Sequence, residues 1–545
     1  MADLPAELWT HIFDLAADED VLFQHGLPAT MAESAWYKDF LGKWTLRSPK
    51  DALDLVQRRS YATKKAIVRT CRNWRNIGSQ FLFRCLFFGD PARLLTLCAI
   101  LDSSSAASTT ATASLGWWTR RIHLARFYAN TTRGTTPESL RDALISIIRH
   151  CPNLEIFIVD WPMPITTFGH VADALTTFAS KSLRTLHVVV PSSALSKVIW
   201  AFDSLPHIFA VHLEVEASTP EEEASASDDI RLGAASDIRL RLPGLQQLSL
   251  QGHIQEFVEQ ATGWSLPALR HLSVNCGTRH VDLPDILAFL AVHGAPLLFL
   301  DLYSISVMPL PRILALCPAL TTVAFNADWR LVRADDDDDE PPLAHERLAN
   351  VGLHGLAYAF GVGFAAAHAQ GDPLPAFLVT SANDRTLAAL CARERFPALR
   401  RVRVLSRSLL EELDRANGPA EEGGGMARWE RWWEACNRAG VRLEDCTGAL
   451  LGELPQDPPE SDSEDEEDED EEDEENEGEV REWKVSVPLQ QPGGGTQVDE
   501  LRQLLEECRA MDAGRDDHYM FSNPGAMAVF PEIVVIPPPA SGSGS

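Results

Sequence analysis

The side chains able to do covalent or metal chemistry are scattered through this chain rather than gathered. Ten cysteines occur, none in a C-x-x-C pair and none beside histidines at zinc spacing. That usage predicts reduced core thiols in the cytosol or nucleus, with no disulfide framework and no metal site. No G-x-S-x-G, H-E-x-x-H or Walker run is present, nor a pair of carboxylates spaced for acid–base work. Residues 359–364 (AFGVGF) hold a Gly-x-Gly but neither the third glycine nor the strand-to-helix turn that a phosphate loop needs. Trp429, Trp432 and Trp433 share helical spacing and predict an apolar cap rather than a ligand cage. Ser461 and Ser463 each have an acid three residues on, which suits an acid-directed kinase. The chemistry thus points away from an enzyme, with no cofactor and no metal, and towards binding.

Charge narrows the partners. The 545 residues carry a formal charge of −30, and residues 460–479 alone hold 16 Asp or Glu with no Lys or Arg. Six more acids run from 335 to 340. An acidic field argues against nucleic acid as the main partner. No stretch of 18 consecutive apolar residues predicts a membrane span, the nearest, 353–367, reading as a small-residue helix inside the fold. Residues 453–545 open on a run poor in large apolar side chains and are expected to be a mostly disordered acidic tail.

Two sets of elements must position any binding surface. The first is helical and occupies residues 1–90. Leu4, Leu8, Ile12 and Leu15 fall on one helix face, which Trp9, Phe13 and Ala16 widen. A second helix is expected over 64–85, striped by Ile67, Cys71, Trp74, Ile77, Phe81 and Cys85. Residues 21–63 between them read as an insertion of mixed helix and loop. The Ser/Thr/Ala-rich run 102–115 reads as a linker.

The second set is a repeat, Leu-x-x-φ-x-φ with φ apolar. Nine copies begin at Leu154, Leu183, Ile208, Leu245, Leu269, Leu297, Leu320, Leu348 and Leu399, with partial copies at Ile122/Leu124 and Val441/Leu443. Most intervals fall between 23 and 29 residues. The interval of 37 holds an insertion around 217–236, and that of 51 has room for a degenerate copy near 376–379. Helices are expected at 138–150, 195–202, 285–293, 311–316 and 385–395, most of them stopped by a following proline.

LPAELWTHIFDLA at 4–16 and KKAIVRTCRNWRNIGSQFLFRCLFF at 64–88 resemble the two halves of an F-box, in the split form common in mushroom-type fungi. The repeat at 117–450 resembles leucine-rich repeats. The resemblance implies an α/β chain: an F-box-like helical module, then a solenoid with parallel strands on a concave face and helices on a convex one. It implies that Leu4, Pro5, Leu8, Ile12, Phe13, Val68, Cys71 and Trp74 face a Skp-type adaptor or form the module's core. Through the adaptor the chain would join a cullin as the substrate receptor of an SCF-type ubiquitin ligase. The x positions of the strands are expected to face solvent and hold a target protein. Arg184, His187, Gln247, Arg270, His271, Asp301, Arg400, Arg401 and Arg403 lie in that row or beside it. The alternatives are an F-box-like scaffold without ubiquitin transfer and, behind it, an enzyme with an unrecognised site.

Overall fold

The structure, a computed structural model, describes residues 4–450 except 18–19, 39–42, 91–92, 108–113, 126–135, 218–231, 277–284, 305–306, 309, 329, 332–342, 363–364, 366–372 and 416–424. The acidic tail, with Ser461 and Ser463, and the acids at 335–340 lie outside the described residues.

Three helices open the chain: α1 (Ala6–Ala17), α2 (Pro49–Thr70) and α3 (Arg72–Arg84). Between α1 and α2 runs an antiparallel hairpin of β1 (Ala35–Lys38) and β2 (Trp44–Arg47). The single helix expected over 64–85 is two helices. Cys71 adopts an extended backbone and its Sγ caps the Trp74 N–H at 3.4 Å, so α2 stops and α3 starts there. α2 begins earlier than its apolar stripe suggests because Ser48 and Asp51 form a capping box with Pro49 in the first turn. Gly78 lets the two helices meet: a Cβ there would lie 2.8 Å from Ile67 Cγ2 and 3.1 Å from Val68 Cγ1.

A twelve-stranded parallel sheet follows, and its spatial order is its chain order. The strands are β3 (Cys85–Phe88), β4 (Arg121–Leu124), β5 (Ile156–Pro162), β6 (Thr185–Pro191), β7 (Ala210–Glu216) and β8 (Gln247–Gly252). They continue as β9 (His271–Asn275), β10 (Phe299–Ser304), β12 (Thr322–Asn326), β14 (Asn350–His354), β15 (Arg401–Val404) and β16 (Arg442–Glu444). The two-residue strands β11 (Val307–Met308) and β13 (Arg330–Leu331) pair apart from it. Most crossovers are helical; the first are α4 (Arg93–Ala107), α5 (Pro137–His150), α6 (Ile165–Phe178) and α7 (Leu195–Asp203). Neighbouring helices touch, α4 to α5 to α6 to α7, and so form a layer.

The repeat sets the register. The first φ positions run straight across the sheet, from Phe157 through Leu186, Val211, Leu248, Leu272, Leu300, Val323 and Val351 to Val402. All nine repeat-opening residues are at most 1% exposed and share one core with the helices. Burying each such side chain contributes on the order of 2 kcal/mol. The partial copies are full members, as β4 and β16.

Some expectations need correcting. β3 lies inside the stretch 1–90 yet is the first strand of the sheet. The Ser/Ala run read as a linker is helical up to Ala107, since alanine and serine tolerate a helix that packs on α5. Residues 376–379 hold no strand; they belong to the helix Pro373–Leu390. Residues 353–367 are not one helix: β14 ends at His354 and a single helical turn spans Ala357–Phe360.

The sheet curves. Lys50 Nζ lies 2.9 Å from Asp160 on β5, and the next residue, Asp51, lies 3.7 Å from Arg407, just past β15. On a flat sheet those strands stand about 38 Å apart, at ~4.8 Å per step. Two adjacent side chains cannot bridge that span, so the sheet bends around the start of α2.

Candidate functional site

Helix α1 divides its wide apolar face in two. Trp9 and Phe13 point inward and form an aromatic cluster with Trp74 and Phe81. Their ring centroids lie 4.6 Å apart for Trp9–Trp74, 5.1 Å for Phe13–Trp74 and 6.2 Å for Phe13–Phe81. Ile67 joins this small core, and Val68 is 1% exposed in the main one. Leu4, Leu8, Ile12 and Leu15 point outward and remain 39%, 49%, 41% and 71% exposed. An ion pair from Arg84 at the end of α3 to Asp14 fixes α1 in this orientation. Of the residues expected to meet an adaptor, Phe13 and Val68 are therefore core, Trp74 is half-buried and Cys71 is an exposed cap. Leu4, Pro5, Leu8 and Ile12 are open.

The row expected to hold a target meets a different fate. Residues 22–34 cross the sheet on that face from one end to the other. Arg121 of β4 donates to the Leu22 carbonyl, and Thr185 of β6 to the His25 carbonyl at 2.6 Å. The Leu27 N–H donates to Gln247 Oε1 on β8 at 2.6 Å, and Thr30 Oγ1 donates to Asp301 on β10 at 2.5 Å. Arg403 of β15 donates to the Met31 carbonyl at 2.7 Å, and Ser34 N–H to the Cys446 carbonyl at 2.8 Å. The insertion between the two helical halves is thus a strap tied across the sheet, and α2 packs beside it.

Positions expected to face solvent are consequently engaged within the chain. Asp301 is 3% exposed and accepts from Thr30 and, at 3.0 Å, His354. Arg403 is 2% exposed, with Glu444 at 2.7 Å and Glu33 at 3.0 Å. His187 and Gln247 are half-buried, as are His271 and Arg401. Arg184 and Arg270 sit one residue before their strands and bond to carbonyls, while Arg400 is exposed. The repeat period carries no signal for the strap, because its partners lie up to about 410 residues away in sequence.

Sequence reasoning named His187 but not the histidine row under α2 to which it belongs. His123, His187 and His212 occupy the x positions of β4, β6 and β7, with Ser249 next on β8. Asp160 joins them: His123 Nε2 lies 3.1 Å from one oxygen and His187 Nε2 3.3 Å from the other. The His187 and His212 rings meet at a 60° tilt with centroids 4.1 Å apart, and His212 Nδ1 lies 2.9 Å from Ser249 Oγ. Burial acts to raise the Asp160 carboxyl, but the His123 hydrogen bond and the nearby His187 and Lys50 hold it well below its usual range. Burial pushes the His187 imidazole down, and burial with Lys50 pushes that of His212 down to about 4. The order Ser–His–His–Asp superficially matches a hydrolase relay. Burial opposes the imidazolium that such a relay must form, while the Asp160 carboxylate favours it.

Burial also silences four thiols. Cys151, Cys276, Cys317 and Cys446 are pushed up to about 12, far from the thiolate a nucleophile or metal ligand requires. Among the described residues no cluster of His, Cys, Asp or Glu is placed to hold a metal ion, and no helix is long and apolar enough to cross a membrane. A cleft of about 840 Å³ lies where α1 and the strap meet the first strands. Several of its charges are already paired: Arg84 with Asp14, and Arg120 and His25 with Glu155.

Set against known proteins, the chain matches no family model and no curated protein.

Proposed function

We propose that this chain is an F-box-like substrate receptor of an SCF-type ubiquitin ligase, its sheet and helices a leucine-rich-repeat solenoid. The line of Leu4, Leu8, Ile12 and Leu15, left open by a helix whose other apolar residues are satisfied, carries the reading. Four large apolar side chains in a row are costly to leave in water and suit docking against a partner helix. A Skp-type adaptor is the occupant that the LPAELWTHIF motif implies, and a cullin would be reached through it. The curvature of the sheet and its in-register Leu-x-x-φ-x-φ rows support the solenoid. The role is proximity: one end holds the ligase and the other a target, so the gain is effective concentration. The compartment is the cytoplasm or nucleus. Since the strap fills the inner face, a target protein meets what it leaves open, above all the strand-start edge with Arg184, Arg270 and Arg400.

Binding of a purified Skp-type adaptor to the full chain, beside Leu8→Asp/Ile12→Asp, tests this. Binding by the wild type and loss of at least about a hundredfold in the folded variant is expected, since two buried apolar anchors are replaced by charges. A folded wild type that does not bind would leave the scaffold without ubiquitin transfer as the better reading.

A further inference from the structure

The residues that immediately precede the strands, together with Arg442 at the first position of β16 opposite Arg401, stack into a second row along the edge where the strands begin. Each donates its N–H to the carbonyl of the one before at 2.7–2.9 Å: Arg120 to Arg84, onward through Glu155, Arg184 and Arg270, to Arg400 and Arg442. Six of the twelve members of this ladder are arginines and a single one, Glu155, is an acid. Arg84 and Arg120 are paired with carboxylates. Arg184 and Arg270 reach only carbonyl oxygens among the described residues. Arg400 is exposed, and Arg442, 66% exposed, shares Glu444 with the buried Arg403. On a chain of net charge −30, Arg184, Arg270 and Arg400 thus stand on this edge without a carboxylate partner among the described residues.

The chain itself is aimed at that edge. After β16 it reverses: Leu450 bridges Glu444 antiparallel, and the Asp445 N–H donates to the Ala449 carbonyl at 2.9 Å. At its last described residue it therefore runs back towards Arg442. Ten residues on, the run 460–479 begins, with its 16 carboxylates and no cation. Five strand steps of ~4.8 Å put Arg270 about 24 Å from Arg442. Twenty extended residues reach well beyond that, at ~3.3 Å each.

We propose that the acidic segment 460–479 docks along the strand-start edge, against Arg442, Arg400, Arg270 and Arg184, as an intramolecular occupant that any acidic target must displace. The proposal stands on the arginine ladder and the direction of the chain, and does not depend on adaptor binding. The contacts are solvent-exposed ion pairs, individually weak and salt-sensitive, so several must act together.

The test is cleavage of the full-length protein by a glutamate-specific protease, followed at 460–479. The wild type is compared with Arg270→Glu/Arg400→Glu/Arg442→Glu. A control, Arg141→Glu/Arg149→Glu/Lys181→Glu, makes the same charge change at residues outside the ladder. Circular dichroism checks that all three fold. At low ionic strength the edge variant should be cut about tenfold faster than the wild type and the control little faster, the gap closing in high salt. Equal rates for wild type and edge variant at low salt would overturn the proposal, as would a control that rises as much. Protection that grows with protein concentration would also overturn it, by placing the tail on a second copy.

Discussion

Helix α1 and the inner face of the sheet make an instructive pair. Both offer a row of side chains read from a simple period, 3.6 in one and 2 in the other. On α1 the row is apolar, and the fold leaves Leu8 and Ile12 49% and 41% exposed. On the sheet the row is polar, and the fold buries Asp301 and Arg403 although water would have solvated them at no cost. The apolar row is left open. The polar row is spent inside the chain, holding the strap that ties the two helical halves to every part of the repeat. Surface chemistry alone therefore does not say which face is free to bind.

The comparison can be broken at three points of decreasing size. Arg403→Met leaves Glu444 buried beside a lost guanidinium and frees the Met31 carbonyl, so unfolding in urea should show a loss of about 3–5 kcal/mol. A cost under about 1 kcal/mol would mean that the strap is held elsewhere. Next comes pH. His212 keeps its imidazole neutral down to about 4, whereas an unfolded histidine takes its proton near 6.5. Between those values the unfolded chain binds more protons. This contribution is therefore complete above about pH 6.5 and is lost as pH falls towards about 4, on the order of 3 kcal/mol in all. Lys50, Asp160, His187 and Ser249 face the ring, and His212→Gln should flatten that slope in denaturation series across the window. The smallest effect belongs to Leu8→Asp/Ile12→Asp on folding itself, within about 1.5 kcal/mol, because both side chains are already about half exposed and the main cost is the weaker helix propensity of Asp. A large loss there would mean that α1 is a core element and no docking face.

What could be read from the sequence follows the same divide. The repeat was legible because Leu183, Leu186 and Val188 sit at a local spacing whose burial is enforced strand after strand. Helices such as α5 and α7 were legible from their apolar period and the prolines that follow them. Helix α6 was not, since its four threonines and small residues weaken the helical signal that packing on α5 restores. The break at Cys71 was hidden because the apolar stripe runs on through it, and a thiol is an unusual cap. Within the candidate sites, the exposure of Leu8 and the burial of Phe13 could not be told apart on α1, since both lie on its apolar face. The solvated row failed for a different reason. Whether Arg403 meets water depends on Met31, Glu33 and Glu444, contacts of tertiary origin without any period.

Amide hydrogen exchange of the full chain, alone and with a purified Skp-type adaptor, tests the account most directly. Leu27 and Ser34 donate their N–H groups into the sheet and should exchange slowly in both states, while residues 4–15 gain protection only with the adaptor. Exchange at Leu27 and Ser34 as fast as in an open loop, or an adaptor that releases the strap and leaves α1 unchanged, would contradict it.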